Sequence, residues 1–288
     1  METLEEIIEI ADRLVETNML EEAIDYLDAS IEEHPDNPDL LDLRGIAWFR
    51  SLEIDHAIKD WRTAISADTS YQLAYLHLAQ VYIEKQEFKE AESNINEALK
   101  IEPENLVYQY TYAFIKLQLK EIENCMRVCN NILGKYSTDL TALEYRANCY
   151  LEMKNYALAA ADFETVCMNS PESPLLCNNT GYSYSKAGNI EKAKQYLSMA
   201  IQFDPDFSYP YSNLGYVYLL EGNFTKAHQL IDKSIELDPS NSYAYKNKAL
   251  VFMAENDNWN ARKSLEKARS LRFDLYYGDE VDNLLRNL

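Results

Sequence analysis

Three asparagines spaced 34 residues apart are the first side chains in this sequence whose pattern suggests a chemical role. Asn179, Asn213 and Asn247 each stand two residues before a glycine or an alanine. Because an amide side chain donates and accepts hydrogen bonds at the same time, a row of amides could hold the backbone of an extended peptide. The alternative is that water alone solvates these amides. The pattern therefore favours binding of a protein segment over catalysis.

Two cysteines and four histidines are the remaining candidates for metal binding. Cys125 and Cys129 are spaced i, i+4 and could offer two thiolates to a metal ion. No second cysteine pair and no nearby histidine completes such a site, and buried cysteine packs as a small apolar residue. We therefore predict core positions for both cysteines, and neither a metal nor another cofactor. The histidines fall in four different contexts and are predicted to be surface residues: His34, His56, His77 and His228.

Motifs for enzymatic chemistry are missing from the sequence. Its seven glycines are scattered, so they form no phosphate-binding loop, and no His-Glu-x-x-His zinc motif occurs. We therefore expect no catalytic residues and no enzyme activity.

Composition and net charge narrow the class of protein further. Hydrophobic residues make up 47% of the 288 residues, and 7 Gly and 8 Pro are too few for an all-β protein built on tight turns. A net charge of −21 would repel nucleic acid, whose binding requires neutralisation of phosphates. No apolar run reaches membrane-spanning length, so we expect no membrane insertion. The acidic start METLEEIIEI and an odd number of cysteines, five, favour a reducing, cytoplasmic setting.

Charge is distributed unevenly between the two ends of the chain. Residues 1–37 carry thirteen Asp and Glu against one Arg, whereas residues 242–275 carry seven Lys and Arg against four Asp and Glu. The acidic end could be a docking face for a basic partner, or only the solvated surface of a terminal repeat. It could also associate with the basic end of another copy, in which case salt would screen the attraction.

These side chains must be positioned by a structure that repeats every 34 residues. Alanine recurs at this spacing with one interruption, at Cys125, and proline follows five of the alanines by twelve residues. Proline ends a helix there, because it lacks an N–H and restricts the residue before it. Trp259 stands one place later than the apolar residue at the equivalent position of other repeats. It is either partly exposed or a shifted packing residue, and we favour the second. The recurring positions are Ala23, Ala57, Ala91, Ala159, Ala193, Ala227, Ala261, Pro35, Pro103, Pro171, Pro205 and Pro239.

The pattern resembles the tetratricopeptide repeat, a 34-residue helical hairpin that stacks on its neighbours. Residues 208–241 match the repeat almost throughout, at Tyr211, Leu214, Gly215, Tyr218, Ala227, Ile231 and Pro239. The resemblance implies an all-α fold, a right-handed α-solenoid superhelix. It divides the chain into hairpins at 4–37, 38–71, 72–105, 106–139, 140–173, 174–207, 208–241 and 242–275, followed by a C-terminal capping helix at 276–288. Gly188 and Gly222 are predicted to have a positive φ in the turn inside a hairpin.

The resemblance also implies that the first helix of each hairpin lines a concave groove. The helix period places the residue two before and the residue one after each Gly or Ala position on that inner surface. First helices about 10 Å apart and a peptide rise of about 3.3 Å per residue would let the asparagines meet a peptide at about every third residue. These two positions predict the peptide-binding residues Tyr145, Asn148, Asn179, Tyr182, Asn213, Tyr216 and Asn247. Neighbouring inner positions add Asn178, Lys186, Tyr209, Tyr243 and Lys246.

The predicted function is a non-catalytic scaffold or adaptor that binds an extended segment of another protein, mainly through its last four hairpins. Aromatic pockets at Tyr145, Tyr182 and Tyr216 would provide specificity, and the row of asparagines would hold the peptide backbone. The family's clamp for a chaperone's carboxylate tail is poorly matched, since Lys246 alone stands at a required lysine position. The alternative function is a self-associating structural protein, joined through its acidic first hairpin and its basic last hairpin.

Overall fold

The computed structural model describes residues 2–288, with the exception of the side chain of Tyr276. Within this described part the chain forms eighteen α-helices and no strand, which confirms the prediction of an all-α fold. The helices are α1 (Leu4–Glu16), α2 (Leu20–Glu33), α3 (Pro38–Arg50), α4 (Ile54–Ala67), α5 (Gln72–Glu84), α6 (Phe88–Ile101), α7 (Leu106–Gln118), α8 (Ile122–Lys135), α9 (Leu140–Glu152), α10 (Tyr156–Asn169), α11 (Pro174–Lys186), α12 (Ile190–Phe203), α13 (Ser208–Leu220), α14 (Phe224–Leu237), α15 (Ser242–Ala254), α16 (Asn258–Ser270), α17 (Phe273–Tyr277) and α18 (Glu280–Arg286).

The first sixteen helices alternate between a first helix, which has an odd number, and a second helix, which has an even number. Most of the first helices begin after a polar residue whose side chain accepts a hydrogen bond from the first turn. This bond satisfies a backbone N–H that has no partner within the helix. The residues that cap first helices in this way are Thr3, Asn37, Asn105, Asp139, Ser173 and Asn241.

The turn inside each hairpin contains one residue with a left-handed backbone conformation, and this residue recurs every 34 positions. Gly188 and Gly222 have φ values of 83° and 75°, which confirms the prediction for these two turns. The other six turns use residues that carry a Cβ, with φ between 57° and 65°. These residues are Asn18, Leu52, Gln86, Lys120, Lys154 and Asn256. The local geometry of the hairpin is therefore kept even where the sequence does not supply glycine.

Two compact units divide the chain, an N-terminal unit that ends at Ile132 and a C-terminal unit that begins at Leu133. In the N-terminal unit, Trp61 on α4 is 1% exposed and packs against Gly45 of α3. In the C-terminal unit, a Cβ added to Gly215 on α13 would lie 2.6 Å from Cγ1 of Ile231 on α14. A small residue at these positions thus allows the two helices of a hairpin to approach closely.

The cysteines occupy the core, as predicted. Cys125 and Cys129 on α8 are fully buried. Cys167 and Cys177 form a second buried pair in the C-terminal unit, with their sulfur atoms 2.9 Å apart. Burial and the neighbouring thiol of Cys167 raise the pKa of Cys177 to about 12, so this thiol stays protonated at neutral pH.

The C-terminal segment covers the end of the last hairpin. A single helix over residues 276–288 is predicted, but the structure has two short helices, α17 and α18, separated at Gly278, where φ is 77°. Val281 of α18 is 1% exposed and packs in one cluster with Leu265 of α16 and with Phe273. Leu284, Leu285 and Leu288 pack against the same cluster. No helix in the described residues is long and apolar enough to cross a membrane.

Candidate functional site

The twelve predicted binding residues lie on first helices of the C-terminal unit, and we call the surface that they form the inner face. Helix α13 contacts both α11 and α15, so these three helices lie side by side. The half-buried members are Tyr145, Asn148, Asn179, Tyr182, Lys186, Tyr209 and Tyr216. The buried members are Asn178, Asn213, Tyr243, Lys246 and Asn247.

The row of asparagines differs from the prediction, because two of its three members are enclosed between helices. Asn213 is 5% exposed, and its Nδ2 donates to Oδ1 of Asn178 on α11 at 2.9 Å. Asn247 is 0% exposed, and its Nδ2 donates to Oγ of Ser212 on α13 at 3.0 Å. Asn179 alone remains half-buried. The prediction that Asn213 and Asn247 present their amides to an open groove is therefore wrong, since neighbouring helices pack over them.

A single register rule explains where these amides point. Gly181, Gly215 and Ala249 stand at equivalent positions of consecutive hairpins. The side chain two residues before this position hydrogen-bonds to a residue 35 positions earlier, which stands three residues before the equivalent position of the preceding hairpin. Asn213 and Asn247 follow this rule. His77 in the N-terminal unit follows it as well, with its Nδ1 2.7 Å from Oδ1 of Asp42. The prediction that His77 is a surface residue is thus wrong, because it joins two first helices.

Aromatic side chains form a continuous cluster that includes Tyr182 and Tyr243 of the inner face, and we call this cluster the aromatic ladder. It consists of Tyr156, Tyr182, Tyr243, Phe273 and Tyr277. The ring centroids of Tyr182 and Tyr243 are 6.1 Å apart, although their hairpins are not adjacent in sequence. Burial raises the pKa of Tyr182 to about 12 and that of Tyr243 well above its ordinary value. These phenols are therefore neutral at physiological pH.

Two lysines lie beside the aromatic ladder in surroundings that disfavour their charge. Lys246 is 0% exposed, with its Nζ 4.0 Å from the ring centroid of Tyr243 and 3.4 Å from Oε1 of Glu280. Burial lowers the pKa of Lys246 to about 8, against the opposing effect of Glu280. The Nζ of Lys186 lies 4.6 Å from the ring centroid of Tyr216, and burial lowers the pKa of Lys186 too. A tyrosine ring lies beside each ammonium group, and its face attracts the charged form of the lysine.

Sequence reasoning missed part of this site. Tyr156 begins a second helix, whereas Phe273, Tyr277 and Glu280 belong to the C-terminal segment. One signal was available, because Tyr277 and Glu280 stand 34 residues after Tyr243 and Lys246. The segment therefore continues the repeat spacing and places its side chains beside the last hairpin.

Trp259 is a further difference from the prediction. It was expected to pack in the core, but it is 71% exposed on α16. Its ring instead lies 5.3 Å from Nζ of Lys263, one turn further along the helix. Moving the aromatic residue by one position turns it away from the neighbouring helix, since successive helical residues point about 100° apart.

Clusters of His, Cys, Asp or Glu that could hold a metal ion do not occur among the described residues. The polar clusters that do occur join helices. Glu164 on α10 accepts hydrogen bonds from the hydroxyls of Tyr184 and Tyr196 at 2.6 and 2.9 Å, and Lys192 pairs with it at 2.7 Å. The hydroxyls and the ammonium together hold the pKa of Glu164 below its usual value although burial opposes them. This network links two consecutive hairpins.

Comparison with known proteins adds evidence on family and fold. The model of the family described as "Tetratricopeptide repeat protein 21 second ARM domain" matches residues 5–254. A tetratricopeptide repeat protein from Parabacteroides merdae superposes with a TM-score of 0.70 at 17% identity, over 86% of this chain and 97% of that one. A chain of the APC/C hetero-tetramer Cut9-Hcn1 gives a TM-score of 0.65 at 15% identity, over 88% of this chain and 49% of that one.

A curated relative extends the comparison at the level of sequence. The DnaJ homolog subfamily C member 7 homolog of Dictyostelium discoideum is 23% identical over 228 residues. The match covers 67% of this chain, and this chain spans 42% of that relative's length.

Proposed function

Since this chain belongs to the family of the tetratricopeptide repeat protein 21 second ARM domain, and is thus a tetratricopeptide-repeat protein, we propose that it is a non-catalytic scaffold for protein interactions. Its binding surface is the inner face of the C-terminal unit, within residues 140–254. The observation that carries this proposal is the pair of half-buried rings of Tyr182 and Tyr216, whose centroids lie 5.9 and 4.6 Å from the Nζ of Lys186. Surfaces rich in tyrosine with few charged anchors are typical of protein-binding sites.

The half-buried side chains of the inner face make the contacts with the partner. Tyr182 and Tyr216 offer rings that a partner's apolar side chain can cover, and their hydroxyls can hydrogen-bond at the edge of the contact. Asn179 and Asn148 retain partly exposed amides that can pair with a peptide backbone. Asn213 and Asn247 contribute by setting the spacing of α11, α13 and α15. The partner is therefore held mainly by aromatic side chains and by Lys186.

The cellular setting of this scaffold is the cytoplasm. All five cysteines are buried in the structure, and buried thiols that serve as core residues suit a reducing compartment. The partner is a protein segment and not nucleic acid, because a chain with net charge −21 repels phosphates over most of its surface.

Affinity capture with paired variants tests the proposal. The first variant carries Tyr182→Ala and Tyr216→Ala, and the matched control carries Phe203→Ala and Trp259→Ala, which remove exposed aromatic residues from second helices. Proteins captured by the wild-type chain are identified by mass spectrometry and compared with those captured by each variant of equal thermal stability. The inner-face variant should lose specific partners that the control retains. If both variants capture the wild-type set, the inner face is not the binding surface.

Self-association is a second candidate function, favoured by the exposure of charge at the two ends. All thirteen Asp and Glu of residues 2–37 are exposed. Helix α16 and the residues after it expose Arg262, Lys263, Lys267, Arg269 and Arg272. Light scattering at low and at high salt tests this candidate: salt-sensitive oligomers would support it, and a monomer at both salt concentrations would remove it.

A further inference from the structure

Lys186 is a half-buried lysine in an acidic protein. The chain has 48 Asp and Glu against 27 Lys and Arg. Within the described residues, the Nζ of Lys186 nevertheless has no carboxylate within ion-pairing distance, although this lysine is half-buried on the inner face. Its near neighbours are the rings of Tyr216, at 4.6 Å, and Tyr182, at 5.9 Å. Tyrosine rings can hold an ammonium group, but they do not neutralise it.

Lys246 adds a second positive charge on the inner face, beside the ring of Tyr243. Lys186 lies beside the ring of Tyr182 and Lys246 beside that of Tyr243, and the centroids of these two rings are 6.1 Å apart. The charge of Lys186 also contributes to lowering the pKa of Lys246. Glu280 faces Lys246 at 3.4 and 3.5 Å, longer than the 2.7–2.9 Å typical of a charge-assisted hydrogen bond. The side chain of Glu280 is also 47% exposed, so water weakens its attraction. Glu280 thus acts on both lysines, but among the described residues it lies within ion-pairing distance of Lys246 and not of Lys186.

Burying such a pair of cations is unfavourable unless another charge completes the site. An ammonium group removed from water loses hydration that only hydrogen bonds or an opposite charge can replace. Charged side chains kept in this condition are commonly found at binding and catalytic sites. The rings nearest to Lys186 belong to neutral phenols, which supply no counter-charge to its ammonium group. The arrangement therefore fits binding of an anion.

We infer that Lys186, between Tyr182 and Tyr216 and next to Lys246, is a binding site for an acidic side chain of the partner segment. The inference rests on the proposed scaffold function and specifies the chemistry of the partner. A glutamate or aspartate carboxylate accepts hydrogen bonds from the ammonium of Lys186, while the two rings exclude water from the contact. Glu280 remains the counter-ion of Lys246. The partner segment thus carries at least one carboxylate, flanked by residues that can lie against tyrosine rings.

A labelled peptide measures this site directly. The probe is a fluorescein-labelled, end-capped peptide of four Gly-Glu pairs, and its matched form has four Gly-Gln pairs. We expect saturable binding of the Gly-Glu peptide to the wild-type chain, weakening as salt rises, and at least tenfold weaker binding of the Gly-Gln peptide. A peptide of four Gly-phosphoserine pairs separates carboxylate from phosphate recognition. Tighter binding of the phosphorylated peptide than of the Gly-Glu peptide would overturn the assignment to a carboxylate.

Variants assign the binding to Lys186. Lys186→Met should weaken binding of the Gly-Glu peptide by about tenfold or more, because it removes the charge and keeps the length of the side chain. The matched control is Lys226→Met, since Lys226 also places its Nζ over a tyrosine ring, 4.3 Å from the centroid of Tyr218, but on a second helix. Equal loss of affinity in both variants would show attraction to charge in general and would overturn the inference.

A measurement on the wild-type chain keeps the inference independent of variant folding. Nuclear magnetic resonance of lysines labelled with ¹³C at Cε should show that the Gly-Glu peptide raises the pKa of Lys186, because a bound carboxylate favours the charged form. An unchanged pKa at saturating peptide contradicts direct contact.

The two proposals fail separately. Partner capture that depends on Tyr182 and Tyr216, combined with no binding of the Gly-Glu peptide, removes the carboxylate site and leaves the scaffold function. If the Gly-Glu peptide binds at Lys186 but the variant lacking Tyr182 and Tyr216 still captures the wild-type set of partners, the proposed scaffold surface is removed.

Discussion

The hydrogen bond between Asn213 and Asn178 should stabilise the C-terminal unit, and a double-mutant cycle can measure its contribution. The two side chains are 5% and 6% exposed, and the donor and acceptor atoms are 2.9 Å apart. Asn213→Ala removes the donor and leaves Oδ1 of Asn178 buried beside an apolar methyl group. Loss of one partner of a buried hydrogen bond typically costs about 1–3 kcal/mol. We expect the same range for Asn178→Ala.

The double variant should lose less unfolding free energy than the two single variants lose together. With both amides replaced, neither leaves a buried partner behind, so the second substitution costs less than the first. The coupling free energy should be about 1–2 kcal/mol, within the usual range for residues in one hydrogen-bond network. Urea unfolding followed by circular dichroism gives the free energy of unfolding of each of the four proteins. Asn169→Ala is the control, because this exposed amide should contribute less than about 0.5 kcal/mol.

A row of solvent-facing amides would give a different result. Each single substitution would then change stability by less than about 0.5 kcal/mol, and the coupling would vanish. Partner binding, in contrast, would fall. That outcome would refute the assignment of Asn213 to helix packing and would return it to the peptide-binding surface.

Three further measurements examine turns, packing and charge. Leu52→Gly should raise the free energy of unfolding by roughly 0.5–1 kcal/mol, since the left-handed conformation (φ 65°) costs leucine about 1–2 kcal/mol. Gly222→Leu should lower the free energy of unfolding by a similar amount. Urea midpoints of both variants equal to that of the wild type would contradict the argument. Gly215→Ala should destabilise the C-terminal unit by about 1–3 kcal/mol, because its Cβ would lie 2.6 Å from Ile231 Cγ1; an unchanged melting temperature would show that the isoleucine moves aside. Burial lowers the pKa of Lys246 from 10.5 to about 8, so the unfolded chain binds more protons than the folded chain between these two pH values. The free energy of unfolding of the wild type, relative to that of Lys246→Met, should therefore rise from pH 8 to 10.5. A stability difference between the two proteins that stays constant over this range would exclude this titration.

The repeating helices were predictable because their determinants are local and recur in phase. Alanine and glycine at fixed positions and proline at the ends of second helices set the length of each element, and neighbouring hairpins repeat the information. Leu52 shows that the hairpin turn does not depend on local sequence alone, since a leucine occupies a left-handed position there. The packing of both flanking helices imposes that conformation, so composition gave no signal for it.

The site was less predictable because it depends on rotation of helices against each other. Asn213 and Tyr216 stand three residues apart on one helix, yet the first is enclosed and the second is half-buried. Rotation of the helix about its axis by a fraction of a turn decides whether a side chain is enclosed or half-buried. Helix periodicity alone does not determine this rotation. The 34-residue repeat does not predict the contact between Tyr182 and Tyr243 either, because this contact joins hairpins that are not neighbours in sequence. Spacing within one repeat carries no information on such contacts.

The contact between Tyr182 and Tyr243 alters how the C-terminal unit should lose its structure. A linear array held only by bonds between adjacent repeats can fray from its end, one hairpin after another. Here the rings connect hairpin 174–207 with hairpin 242–275 across the intervening one, and the hydroxyl of Tyr209 reaches that of Tyr277 at 3.4 Å. Melting of the last hairpin therefore also removes an aromatic neighbour from the hairpin two places before it. The last three hairpins should consequently unfold as a single cooperative block, with amide exchange rates that converge on a common opening free energy.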